Sequence, residues 1–189
     1  MDPIEISEAG ESDIEQIAQL TVKYLTEGED IAEDIRQSYK KGVYWAYKAE
    51  ADGEIVGFIT LKEGMSFTVP HPEIEEEILE FTGEGRIFIG DGMWVDKKMR
   101  RHGIGTRLMK VLLDGAHEHG ADYLLNEYWI YPGGKSLIVP MANVFGIPVF
   151  QKTVPNFYHG MEKSGMTCPI CGDDCKCSAE VVLYDLRKE

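Results

Sequence analysis

Arg100-Arg101-His102-Gly103-Ile104-Gly105 stands between an apolar run, Ile87-Phe88-Ile89-Gly90-Asp91-Gly92-Met93-Trp94-Val95, and a periodic stretch from Thr106 to His119. This order reads as a strand that delivers a glycine-containing turn into a helix N-terminus. The first N–H groups of a helix have no helical carbonyl to serve, and the positive end of the helix dipole lies behind them, so such a turn is a site for a phosphate or diphosphate. Ile104, Leu108, Val111, Leu112 and Gly115 share one face of the helix, and Gly120 suits its C-terminal cap. The preceding run is apolar enough to be a central strand covered on both faces. A dinucleotide fingerprint needs a third glycine that Thr106-Arg107-Leu108 does not supply. Gly133-Gly134-Lys135-Ser136 imitates the end of a P-loop, but Trp129 stands where its first glycine belongs, so it reads as a polar turn.

Outward from this core, residues 3–8 alternate as a short strand, and Ser12-Asp13-Ile14-Glu15 has the spacing of a capping box. Ile14, Ile17, Ala18, Thr21 and Leu25 then give a helix its buried stripe, and a second helix follows over residues 30–41. Residues 43–49 and 54–61 form a hairpin through Glu50-Ala51-Asp52-Gly53. Residues 73–81 form a short acidic helix with Ile74, Ile78 and Phe81 on one side, and residues 121–130 read as a strand. Pro132, Pro140, Pro148 and Pro155 mark residues 132–155 as an inserted loop. A short helix over residues 156–164 and two strands, 165–170 and 179–186, joined by a cysteine loop complete an α/β chain read as one domain over residues 1–189.

The 189 residues carry 19 Lys and Arg against 33 Asp and Glu, a formal net charge of −14. That field opposes nucleic acid and anionic membranes as partners and favours a cationic or amine-bearing one. No window reaches the ~18 consecutive apolar residues of a spanning helix. Met1-Asp2-Pro3-Ile4-Glu5 has no signal-peptide character, so a cytoplasmic location is expected.

All four cysteines, Cys168, Cys171, Cys175 and Cys177, fall within one short segment, which indicates a local site and not a disulfide framework. Cys168-Pro169-Ile170-Cys171-Gly172 has the form of a zinc knuckle, and Cys175 and Cys177 complete four thiolate ligands for a structural zinc. An iron-sulfur centre, a regulatory disulfide and free thiols remain open, because Cys175-Lys176-Cys177 is tighter than the usual two-residue spacing. A metal here would brace the terminal strands.

Taken together, strand, helix, helix, strand, hairpin strand, long strand, the Arg100 to Gly105 turn, helix and strand resemble the GNAT superfamily of N-acetyltransferases. The signature is Gln or Arg, two residues, Gly, one residue, Gly or Ala, after a strand ending as Val95-Asp96 does here. The resemblance implies a mixed, mostly antiparallel central sheet flanked by helices, with the cysteine-rich loop in the C-terminal hairpin. It implies acetyl-CoA as cosubstrate, with the diphosphate on the amides of Arg101, His102, Gly103, Ile104, Gly105 and Thr106. Arg100 or Arg101 would add charge, and the pantetheine arm would pair along Met93, Trp94 and Val95. A neutral amine of a small molecule or peptide attacks the thioester directly in that family, and an amide of Trp94 or Val95 would hold the oxyanion. The family's acid is a tyrosine whose place Met161 occupies here. Tyr158, three residues earlier, is the substitute on a helix face. Asp91, Glu127 and His159 are the available bases, with Asp91 chosen because a carboxylate on a central strand needs a reason. The run of glutamates on the acidic helix reads first as a solvated face; the alternative is part of an acceptor cleft that steers a polyamine, a lysine side chain or a peptide amine. A homodimer is open, and the alternative to an enzyme is a non-catalytic acyl-CoA sensor or a zinc-braced interaction module.

Overall fold

The computed structural model describes residues 4–25, 28 and 30–187. Met1 to Pro3, where the first strand and the leader reading begin, lie outside the described residues. The elements in chain order are β1 (Glu5–Glu8), α1 (Glu11–Tyr24), α2 (Ile31–Lys40), β2 (Tyr44–Ala51), β3 (Glu54–Glu63), α3 (Pro72–Thr82), β4 (Ile87–Val95), α4 (Ile104–Glu118), β5 (Tyr123–Ile130), α5 (Ile138–Phe145), β6 (Phe150–Val154) and β7 (Ser178–Asp185). The strands form one sheet in the order β1-β2-β3-β4-β5-β7-β6, in which only β4 and β5 run parallel.

Local chemistry sets most of these boundaries. Asp52 and Gly53 both have positive φ, 52° and 76°, so a two-residue turn joins β2 to β3 with the twist that a hairpin needs. Helix α1 begins before the expected capping box: Gly10 is its N-cap, and Asp13 accepts the Gly10 N–H at 3.0 Å, the role assigned by spacing to Glu15. On α3, Ile74, Ile78 and Thr82 are buried, whereas Phe81 is 47% exposed and leaves the stripe.

The sheet carries different layers on its two faces. Helices α4 and α5 cover one face, where Ile104, Leu108 and Leu112 bury against Ile59, Leu61, Phe88 and Tyr184. Each such side chain contributes roughly 1.5–3 kcal/mol on burial, so this stripe outweighs the cost of the glycines around it. The opposite face holds α1 and α2 over the N-terminal strands and α3 with the segment 155–177 over the C-terminal ones.

Three expectations for the C-terminal third are corrected. Residues 132–155 are not a structureless insertion; they form α5 and the edge strand β6. Pro140 falls in the first turn of α5, where a missing N–H costs little. The arm that pairs with β7 is β6, not residues 165–170, so the cysteine loop lies in the long connection between two antiparallel C-terminal strands. Residues 156–164 are successive turns and one 3-10 turn, Met161–Ser164, instead of a helix.

Candidate active site

The centre of the site is a defect in the sheet. Strand β4 pairs with β5 only from Ile87 to Gly90, and beyond the Gly90–Asn126 pair the two diverge. On its other edge β4 carries one extra residue: Thr60 pairs with Gly92 and Leu61 with Gly90, which leaves Asp91 as a bulge. The bulge shifts the alternation of side chains. Before it Ile89 faces the cysteine side, and after it Met93 and Val95 face α4 while Trp94 turns under α1 and stacks on Tyr24 at 4.8 Å.

This divergence opens a cleft of about 700 Å³ that passes through the sheet. Met93, Met109, Leu112, Asn126, Tyr128 and Leu137 line it on the α4 and α5 side. Leu25, Thr68, Glu127, Trp129, Tyr158, Met161, Cys168 and Pro169 line it on the other side. The edge of β4 past Gly90 faces this cleft instead of β5. The Asp96 N–H donates to Val56 O on β3, so by alternation the Trp94 N–H also points to β3 and the Met93 and Val95 N–H groups point to the open edge. Of the two amides considered for an oxyanion, the Val95 N–H thus points to the unpaired edge of β4 and the Trp94 N–H to β3. The Arg100 Nε donates to Val95 O at 3.0 Å and draws the following turn against the strand end.

The turn has the geometry of an anion cradle. Gly103 caps α4 at φ 76°, and Arg101 also holds a left-handed φ of 69°, a conformation that costs a side-chain-bearing residue ~1–2 kcal/mol. Arg107 N–H, donating to Gly103 O, makes the helix's first bond, so the N–H groups of Ile104, Gly105 and Thr106 precede the helical ladder. A Cβ on Gly105 would meet nothing within 4 Å, so the space above these amides is open for a group that needs close approach to the main chain. His102 Nδ1 lies 2.9 Å from Arg100 O and pins the turn from within.

On the opposite side of the cleft the structure brings together two residues 31 positions apart: Tyr158 OH donates to Glu127 Oε1 at 3.0 Å, and Thr68 Oγ1 lies 3.4 Å from the same oxygen. Glu127 Oε2 is buried with no hydrogen-bond partner among the described residues. Burial raises the Glu127 carboxyl to about 7; the Tyr158 hydrogen bond works against the rise and the charge of nearby Asp91 adds to it. Desolvation by the surrounding protein raises the Asp91 carboxyl and Lys62 offsets part of the rise, although the residue is exposed where it lines the cleft. His159, the third base considered, is exposed at 3.9 Å from Asp174 and does not line the cleft. Sequence reading passed over Asn126, whose Nδ2 is buried on the α4 side with no hydrogen-bond partner among the described residues. The available signal was a polar pair, Asn126-Glu127, inside an otherwise apolar strand.

The four cysteine sulfurs lie within 4.8 Å of one another, and Cys168, Cys175 and Cys177 are buried. Cys171 Sγ is 3.6 Å and Cys168 Sγ 3.9 Å from Cys177 Sγ, too far for a disulfide bond. Four sulfurs around one tetrahedral zinc at the usual bond length stand about 3.8 Å apart, so the set fits a single ion. Gly172, at φ 70°, donates its N–H to Cys168 O, and Cys171 N–H donates to Cys168 Sγ at 3.4 Å. Burial opposes ionisation of Cys168, but the N–H groups of Cys171 and Ile170 carry its thiol below the ordinary value.

No curated protein matches the chain in sequence. Among solved structures, it is similar to Arabidopsis thaliana NAA60 in complex with acetyl-CoA (16% identity, 98% of this chain and 99% of that chain, TM-score 0.64). It is similar as well to an N-acetyltransferase from Staphylococcus aureus Mu50 (16% identity, 98% and 99%, TM-score 0.60) and to the NatC complex bound to Gag peptide and CoA (16% identity, 96% and 99%, TM-score 0.60). These likenesses establish the fold. Residues 14–129, which run from α1 through the turn to the end of the cleft-lining strand β5, match the pattern of the acetyltransferase (GNAT) family, and the chain belongs to that family.

Proposed function

We propose that this acetyltransferase moves an acetyl group from acetyl-CoA to a primary amine, with Glu127 and Tyr158 as its proton-transfer pair. The observation that carries the reading is their hydrogen bond inside a cleft that crosses the sheet. A thioester carrier bound from the α4 side and an amine entering from the other side meet where β4 and β5 part. The diphosphate rests on the amides at the start of α4, and the pantetheine arm follows the open edge of β4 past Met93 and Val95. Asn126 Nδ2 offers its unpartnered N–H to a carbonyl of that arm. Acetyl-CoA in the NAA60 complex supports the cosubstrate, and the peptide in the NatC complex supports a peptide amine as acceptor.

An ammonium reaching the cleft meets Glu127, whose unpartnered Oε2 takes one proton and returns it to solvent. The neutral nitrogen attacks the thioester carbon, and the Val95 N–H holds the oxyanion. As the C–S bond breaks, Tyr158 OH protonates the leaving sulfur. Glu127 takes the second nitrogen proton and hands it to Tyr158 through their 3.0 Å bond. One proton leaves to solvent, one ends on the thiol, and no covalent enzyme intermediate forms. Asp91, one residue along from the last pair of β4 and β5, supplies negative charge that attracts the ammonium. The surplus of 33 acidic over 19 basic residues acts in the same sense at longer range.

For the cysteine set we read one zinc ion held by Cys168, Cys171, Cys175 and Cys177. With four thiolates and no open position it would supply a cross-link and no chemistry.

Tyr158→Phe tests the reading. Loss of a general acid is expected to lower kcat by roughly 10²–10⁴-fold, with CoA affinity by calorimetry unchanged. Parent-like turnover in this variant overturns the assignment of the acid. Absence of thiol release by the parent, over a panel of spermidine, a lysine-containing peptide and a peptide with a free N-terminus, overturns catalysis on such amines.

A further inference from the structure

The two sides of the cleft are built differently. The cofactor side rests on α4 and α5, elements with their own hydrogen-bond ladders. On the acceptor side the wall made by Tyr158, Met161, Cys168 and Pro169 rests on residues 155–177, which contain no α-helix or named strand and only the 3-10 turn Met161–Ser164. A connection of that length has little backbone pairing to fix it, so its side chains must hold it in place. Those it buries are Phe157, Tyr158, Met161, Cys168, Cys175 and Cys177, all in one core with Leu125, Val181 and Leu183. Phe157 is fastened from the α3 side, where His71 stacks on its ring at 4.0 Å and sets Nε2 2.8 Å from its carbonyl oxygen. The next stretch has the cysteines as its anchor.

Four cysteine sulfurs packed within 4.8 Å are a poor anchor by themselves. Thiols are weak hydrogen-bond donors, and thiolates repel one another; a divalent ion turns the same four groups into a rigid cross-link. The knuckle also touches the site directly. Cys168 and Pro169 are part of the cleft wall beside Met161, Tyr158 and Trp129.

Resting on the acetyl-transfer reading above, we infer that the metal-held knuckle is the positioning element of the transfer centre. One ion on Cys168, Cys171, Cys175 and Cys177 fixes Tyr158 against Glu127 and forms the acceptor wall. Metal occupancy therefore sets transfer while leaving CoA binding, on the other face of the sheet, intact. The cysteines act through Tyr158 and do not touch the reacting atoms.

The experiment compares the purified full chain, its metal-free form made with a chelator under reducing conditions, and the metal-free form with zinc returned. Zinc stoichiometry is read by native mass spectrometry, CoA affinity by calorimetry and local order by hydrogen exchange. Turnover is followed with whichever of spermidine and the two peptides reacts fastest. One zinc per chain is expected. Its removal is expected to speed exchange in peptides covering residues 155–161, to leave residues 100–112 and CoA affinity unchanged, and to lower kcat on the order of 100-fold, the effect of displacing a reacting group by about 1 Å. Returned zinc restores both exchange and turnover. Cys171→Ser, at the half-buried ligand, is expected to behave as the metal-free form, and Cys171→His, which keeps a tetrahedral donor set, to retain zinc and most of the turnover.

A purified chain that holds no metal yet turns over overturns the inference. So does a metal-free form with parent-like exchange over residues 155–161. Loss of CoA binding together with the metal overturns it as well, because the knuckle would then hold the whole fold. A parent that binds CoA and zinc but acetylates none of the amines defeats the acetyl-transfer reading, and the exchange data judge the positioning role separately.

Discussion

Glu127→Gln changes a carboxylate into an amide of the same shape at a cleft residue whose second oxygen is buried with no hydrogen-bond partner among the described residues. Burial lifts this carboxyl from an ordinary 4.5 to about 7, so the folded state favours the protonated form. Stability from such a raised acid is fully present below the unfolded value and is lost as pH rises through the folded one. Above pH 7 the buried charge therefore costs about 3 kcal/mol, falling below about 1 kcal/mol at pH 5. Glutamine carries no such charge and can still accept from Tyr158 OH through its carbonyl oxygen. The variant is expected to be more stable than the parent by about 2–3 kcal/mol at pH 8 and nearly equal to it at pH 5, measured by urea unfolding at both pH values. Its turnover is expected to fall by roughly 10²–10⁴-fold, and the rise in parental turnover as pH passes about 7 should vanish from its profile. A variant no more stable than the parent at pH 8, with turnover intact, would refute the claim that this carboxylate is held at a cost for proton transfer.

Two further substitutions separate the cofactor cradle from the frame around it. Gly105→Leu adds a side chain where a Cβ meets nothing within 4 Å, so melting temperature should hold or rise while calorimetric CoA affinity falls by about tenfold or more, the space for the diphosphate being filled. Equal CoA affinity in that variant would move the diphosphate elsewhere. Gly115→Ala drives a methyl into the Tyr47 ring, 2.6 Å from its Cζ, where α4 crosses β2, and should cost about 1–3 kcal/mol in urea unfolding without moving CoA affinity measured on the folded fraction.

The parts of the fold legible in the sequence are those that repeat a period or concentrate a residue type. The apolar run of β4, the helical stripe of α4 and the glycines between them are local patterns, and the structure gives Ile87–Val95 and Ile104–Glu118. Four cysteines in one segment are equally local. What was lost is either short or long-range. Phe150–Val154 is five residues of alternation among prolines, and its identity as a strand depends on the β7 edge it covers. Asp91 is a bulge only because Gly90 and Gly92 pair across it, a matter of register that no local pattern carries. Tyr158 was chosen on the premise of a helix that does not form; turns bring it to the cleft instead, and its partner lies on β5.

In the proposed reaction one dipeptide, Asn126-Glu127, serves both halves. Successive residues of a strand point to opposite faces, so in a closed sheet one of the two would be buried under α4 and the other under the C-terminal segment, with nothing in common. Here β4 leaves β5 immediately after Gly90–Asn126, and the cleft joins the two faces at that step. Asn126 then turns its free N–H toward the cofactor side while Glu127 turns its free oxygen toward the acceptor side. A strand interior tolerates two neighbouring unpaired polar groups at a cost of about 1–3 kcal/mol each. That cost is recovered when a ligand fills the cleft and supplies the missing partners. The polar dipeptide and the parting of the strands are thus one device, and substituting either residue should disturb a different substrate: Asn126 the carrier, Glu127 the amine.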